Sequence, residues 1–155
     1  MHLEKQFDVK TSRADVAAVL ADDSTLVDLF PDQETQIVAR KGNRRTTRTR
    51  YRALGREGTA TFHFDAEGDG SVRFEKVCDG RVWRELTGSV TLEERAQGGT
   101  RVKIEMEGRT KMLVPEFAVR GEMHEQIEQM AKALRRKLTA AAKAAKGGAS
   151  PGPSA

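Results

Sequence analysis

The sequence predicts an α+β fold in which a curved, seven-stranded antiparallel sheet wraps around one long C-terminal helix, with two short helices between strands one and two. Three observations carry this. Alternating segments separated by glycine-bearing turns fill the chain from Glu34 to Arg109, the pattern of an antiparallel meander. One long stretch with helical apolar spacing follows, from near Pro115 toward Lys146. That helix is the only late element whose apolar face is broad enough to cover a sheet, so each must be the other's cover. A curved sheet gripping one helix leaves space between them, and the architecture points to a container for a small molecule.

The elements follow in order. Leu3, Lys5, Phe7 and Val9 share one face of an opening strand. Thr11 or Ser12 caps a helix that turns Val16, Val19 and Leu20 inward. Asp22-Asp23-Ser24 interrupts it, and Ser24 starts a second short helix through Leu26, Val27, Leu29 and Phe30 that Pro31 stops. Turns at Lys41-Gly42-Asn43, Gly55 to Gly58, Glu67 to Gly70, Asp79-Gly80 and Gln97-Gly98-Gly99 then divide the next stretch into six strands. On the third strand Thr47, Thr49 and Tyr51 oppose an outward stripe of Arg48, Arg50 and Arg52. Phe62 and Phe64 point inward from the fourth, and Val102, Ile104 and Met106 from the last.

A three-residue loop Cys78-Asp79-Gly80, with Gly80 left-handed, puts Phe74 opposite Arg84 and Val72 opposite Leu86. Phe74, Lys76, Arg84 and Leu86 then face inward and Trp83 outward, with Arg73 opposite Glu85. A two-residue turn would split the apolar set across both faces, so the first register is preferred. In the last helix Met123, Ile127, Met130, Leu134 and Leu138 form the apolar stripe, with Arg120 and His124 near it and Gly121 leaving a gap beside them.

The expected organisation is a single domain over residues 1–146 and a disordered Gly/Pro/Ser tail over 147–155. Cys78 is the lone cysteine, which rules out an internal disulfide framework and fits a reducing compartment. Met1 to Lys10 has no apolar signal core and no run approaches a membrane span, so a cytoplasmic protein is expected. The net charge is +4. Its cations gather in a hairpin block from Arg40 to Arg52 and at the end of the last helix. Glutamates crowd that helix's first half, so its charge order complements the helix dipole.

The opening Phe7-Asp8-Val9, the helix pair ending Leu29-Phe30-Pro31, Gly88-Ser89-Val90-Thr91-Leu92, Gly98-Gly99-Thr100-Arg101-Val102 and the long terminal helix resemble the START-like, or SRPBCC, superfamily over about residues 2–140. That group includes the birch-pollen-allergen fold, polyketide cyclases and lipid carriers. The resemblance implies a helix-grip fold with a hydrophobic cavity between sheet and terminal helix. It carries over no catalytic residues, because the superfamily has no universal ones.

The chemistry-bearing residues agree with a container. His2, His63 and His124 are far apart in sequence and Cys78 has no partner at zinc spacing, so no metal is expected. Gly-Arg-Glu-Gly at 55–58 lacks the lysine and helix of a phosphate loop, and no cofactor is expected. The candidate ligand-binding set is Tyr51, Phe64, Phe74, Arg84, Met106, Phe117, Arg120 and His124, with Arg84 orienting an anionic or carbonyl group. Binding or transport of a small hydrophobic, possibly acidic molecule explains these residues with fewer assumptions than catalysis. The enzyme alternative is a cyclase or aromatase using the same cavity, with Tyr51, Arg84 or His124 handling protons. A further alternative is an interaction protein that meets anionic surfaces, weakly, through the Arg40–Arg52 hairpin. Few aromatics stand there, so no specific nucleic-acid partner is expected. A monomer or homodimer is expected.

Overall fold

The computed structural model describes residues 1–31, 33–53, 56–79 and 81–149. Its elements are β1 (His2–Val9), α1 (Arg13–Ala21), α2 (Asp23–Val27), β2 (Glu34–Lys41), β3 (Arg44–Ala53), β4 (Arg56–Ala66), β5 (Val72–Lys76), β6 (Trp83–Glu94), β7 (Thr100–Thr110) and α3 (Phe117–Ala149). The strands form one antiparallel sheet in the order β1-β7-β6-β5-β4-β3-β2. From β2 to β7 every neighbour in sequence is a neighbour in space, and β1 closes onto β7 with Phe7 opposite Val102 and Leu3 opposite Met106. Gly42, at φ +58, makes the left-handed β2–β3 turn. The predicted turn at Gly55 and the predicted left-handed Gly80 lie outside the described residues, as do 150–155 of the predicted tail. Within 147–149 the chain is still helical, so α3 runs past Lys146.

Local signals explain the small helices. Ser12 Oγ accepts from Asp15 N at 3.2 Å and caps α1, while Asp22 Oδ1 accepts from Ser24 N at 3.1 Å and caps α2. α2 therefore begins at Asp23, one residue before the predicted start, and ends at Val27. Arg45, on the inner face of β3, ties both helices to the sheet. Its guanidinium donates to Leu20 O at 3.0 Å, Ala21 O at 3.1 Å and Asp23 Oδ1 at 3.3 Å. It satisfies carbonyls that the end of α1 leaves open and places positive charge at that helix's negative pole.

The core forms where α3 lies on the sheet. Val119, Met123, Ile127, Met130, Leu134 and Leu138 are buried along one side of the helix, facing Leu3, Leu86, Val102, Ile104 and Met106. The helix meets the sheet chiefly through β1 and β7. Lys5 Nζ donates to Glu128 Oε1 at 2.6 Å, and the Arg135 guanidinium lies 5.8 Å from the centre of the Phe7 ring. At its far end Lys137 Nζ reaches Asp28 Oδ2 at 2.5 Å.

One predicted register is corrected. β5 pairs with β6 so that Val72 faces Val90, Phe74 faces Gly88 and Arg73 faces Ser89. The connection runs from Val77 to Val82 rather than closing over three residues, because Val77 N donates to Thr61 O at 2.8 Å and keeps pairing with β4. The slip is four residues, an even number, so the two faces of the hairpin survive it.

The Lys5–Glu128 pair yields a pH prediction. The hydrogen bond from Lys5 holds the Glu128 carboxyl below the ordinary range against a partial desolvation, with the charges of Lys5, Lys132 and His124 helping. A carboxyl lowered by folding stabilises the fold above its unfolded pKa and loses that contribution as pH falls through its folded value. The melting-temperature gap between wild type and Glu128→Gln should therefore be widest near neutral pH and close in acid, as pH falls through the lowered folded value of Glu128. A gap that stays constant into acid would show that this clamp does not act through charge.

Candidate functional site

The concave face is wider than the helix that covers it. Past the edge of α3, on the β3–β4 side, a cleft of about 450 Å³ is bounded by β3, β4, the start of β6 and one flank of the helix. Ala60, Phe62, Leu86 and Trp83 give it apolar walls, with Phe30 beside them. Thr49, Tyr51, Lys76 and, at the exposed rim and paired with Glu57, Arg52 contribute polar groups from the sheet side, and Glu122, Glu125, Gln126 and Gln129 from the helix. Thr49 Oγ1 shares a 2.9 Å hydrogen bond with Thr35 Oγ1, so its buried hydroxyl is satisfied.

Glycines across the sheet hold the aromatic walls in place. A Cβ at Gly58 would stand 2.5 Å from Tyr51 Cζ, and Tyr51 pairs directly with Gly58. A Cβ at Gly108 would stand 2.5 Å from Trp83 Cζ3, and one at Gly88 would stand 2.2 Å from Phe74 Cζ. Each ring occupies the volume that a side chain on its neighbouring strand would take. Tyr51 and Trp83 therefore line the cleft without filling it.

The predicted residues divide sharply. Tyr51 lines the cleft. Phe64, Phe74 and Met106 point inward but lie in the core, 5%, 4% and 2% exposed; the rings of Phe64 and Phe74 are 5.7 Å apart. Arg84, Phe117, Arg120 and His124 are exposed and do not line the cleft.

Two physical causes account for the exposed placement of Arg84 and of the α3 residues. A β-bulge sets Trp83 opposite Thr110 but Glu85 opposite Arg109, leaving Arg84 as the extra residue. The bulge reverses the alternation before it, so Trp83 turns in over Gly108 and Arg84 stays in solvent. On α3, at 100° per residue, Gln126 and Gln129 flank the buried stripe on the side of the cleft. Arg120, His124 and Glu128 flank it on the side of β1.

Sequence reasoning missed Gln33, Ala60, Trp83 and the polar flank Glu122-Glu125-Gln126-Gln129. The signal that could have found Trp83 was its own misfit, a large aromatic assigned to the solvent face of a strand that has an apolar side.

Charges elsewhere are mostly committed. Arg40 and Arg45 pair with Asp23, Arg44 with Asp65 and Glu75, Arg50 with Glu34 and Glu57, and Arg52 with Glu57. The basic block predicted between Arg40 and Arg52 is thus spread over both faces and largely ion-paired. His2, Glu4 and Glu105 bring ligand-type atoms within 4.8 Å of one another on the outer face. Lys103 Nζ already supplies positive charge there, 2.8 Å from Glu105 and 3.5 Å from Glu4. Burial pushes the Cys78 thiol up, opposite to an activated thiolate.

Solved structures share this fold. The aromatase/cyclase Zhui from Streptomyces sp. R1128 superposes with a TM-score of 0.75 at 17% identity, over 99% of each chain. A START superfamily protein from Mycobacterium smegmatis does so at 0.70 and 17%, over 89% of this chain and 97% of its own. A STAR-related lipid transfer protein from Xanthomonas axonopodis does so at 0.65 and 22%, over 89% and 85%. The chain has the START-like helix-grip fold. No protein-family model matches the sequence, and no curated protein matches it.

The glycine seats can be tested alone. Gly108→Ala must push Trp83 from its seat, costing about 1–3 kcal/mol as an overpacked contact. It should also shift the fluorescence emission of Trp83, the single tryptophan. Unchanged emission and unchanged urea midpoint would mean that Trp83 does not rest on Gly108.

Proposed function

We propose that this START-like fold binds one small, largely apolar molecule in the cleft between β3–β4 and α3, with a polar group of the ligand turned to Lys76 or to the Gln126–Gln129 flank. The observation that carries the reading is the open concave half itself. It has apolar walls, a few converging polar groups and a volume within the roughly 300–1,000 Å³ of small-molecule sites. The cleft takes over the role first expected of the predicted set, and Lys76 replaces Arg84 as the cation an acidic head would meet. Lys76 is half-buried and Glu122 and Glu125 are exposed at the rim, so a ligand's charge would be met at the mouth and its apolar body inside. The solved neighbours named as an aromatase/cyclase and as a lipid transfer protein agree with an occupied interior.

Binding is favoured over catalysis. Among the described residues no histidine or cysteine lines the cleft. His124, the general base of the enzyme reading, is on the opposite flank of α3. Tyr51 remains the one member of that proton-handling set at the cleft, and a phenol alone makes a weak case for acid–base turnover.

Trp83 provides the assay. Titration with anilinonaphthalene sulfonate should change its emission and saturate at one dye per chain. Ala60→Phe, which fills the cleft from β4, should weaken the dye at least about tenfold. Lys76→Met should weaken it about three- to tenfold, the modest worth of a partly exposed charge, and leave a neutral naphthylamine unaffected. Undiminished dye binding by a folded Ala60→Phe variant would place the ligand elsewhere.

A further inference from the structure

We propose that the end of the molecule bearing the β7–α3 connection is a docking surface for an anionic lipid bilayer. Large apolar side chains exposed on this protein are not scattered. Of the six among the described residues, Met112 (91%), Leu113 (93%), Phe117 (82%), Val77 (49%) and Val82 (37%) lie in or beside two connections, and only Val38 lies elsewhere. The two connections are adjacent, because Lys111 N donates to Val82 O at 2.9 Å. Clustered apolar exposure of this kind marks an interaction site, whereas single exposed residues do not.

The charge around this tip selects the partner. Arg81, Arg84, Arg109, Lys111 and Arg120 are exposed in the same segments. Asp79 pairs with Arg81 at 3.5 Å and Glu116 with the N-terminal amine at 3.5 Å, so four cations of these segments, Arg84, Arg109, Lys111 and Arg120, stand against one remaining acid, Glu85. An apolar tip ringed by cations matches a membrane whose apolar interior lies beneath anionic headgroups. A second copy of the chain fits worse, since a two-fold contact through this end would set the same cations against each other. No helix of the described residues is long and apolar enough to cross a membrane, and the contact proposed is one with the bilayer surface. Val82 and Trp83 also line the cleft, which puts its mouth beside the docking tip. The proposal goes beyond ligand binding and does not depend on it.

Vesicle flotation tests it, using the full chain with phosphatidylcholine vesicles that either contain or lack phosphatidylglycerol. Wild type should float with the anionic vesicles and much less with the neutral ones. The triple substitution Met112→Ser, Leu113→Ser and Phe117→Ser should lower partitioning at least about tenfold, since it removes most of the insertable apolar area. Lys111→Glu with Arg120→Glu should remove the preference for anionic lipid. The serine variant should keep wild-type circular dichroism and dye binding, because none of its substitutions touches the core or the cleft. The proposal is overturned if wild type fails to float or if the serine variant floats equally well. It is also overturned if the patch proves to hold a dimer, seen as a wild-type dimer that the serine variant dissociates without any vesicle binding.

Discussion

One helix cannot cover seven strands, and most of this structure follows from that mismatch. The apolar stripe of α3 seats against β1 and β7, where Met123, Ile127, Met130 and Leu134 become fully buried. Burying side chains of this size contributes about 1.5–3 kcal/mol each, so the helix is firmly placed on that half. The curved sheet continues past it through β4 and β3, and the concave surface it presents there is left uncovered by the helix. Both flanks of α3 carry polar residues. One is spent on β1, through Lys5–Glu128 and Phe7–Arg135, while the other faces the cleft.

Keeping that space open requires that the sheet's own large side chains stay out of it. Glycine does this in pairs with aromatics: Tyr51 with Gly58 and Trp83 with Gly108. A strand glycine ordinarily weakens a sheet by giving up packing and conformational restraint. Here the neighbouring ring restores the packing and protects the bare backbone, as in cross-strand rescue of glycine by aromatics. Buried threonines serve the same end on β3. Thr47 and Thr49 are almost fully buried, are smaller than the apolar residues on β6 and β7, and leave depth at the wall. Arg45 holds the rim by fixing α1 and α2 against β3.

The fold was legible because it rests on periodicities that tolerate error. The β5–β6 register was displaced by four residues, yet the faces of Val72, Phe74, Leu86 and Val90 were unaffected because the displacement was even. The helix-grip architecture that the sequence resembles is the architecture found. The site was less legible, for local reasons. A bulge adds one residue, and that single residue exchanged the places of Arg84 and Trp83. On α3 the apolar stripe gave the buried side, but nothing in it distinguishes the flank against β1 from the flank over the cleft. His124 and Gln126 look equally near the stripe in sequence and lie on opposite sides of it. Phe64, Phe74 and Met106 were read correctly as inward, but an inward side chain under α3 is core, and only one beyond its edge can line a cleft.

Hydrogen–deuterium exchange with and without saturating anilinonaphthalene sulfonate tests the central claim that the uncovered half of the concave face is where a ligand sits. The account predicts added protection in β3, β4, the β5–β6 connection and the stretch of α3 from Glu122 to Gln129, with β1 unchanged. Protection concentrated in β1, or spread evenly over the chain, would contradict it.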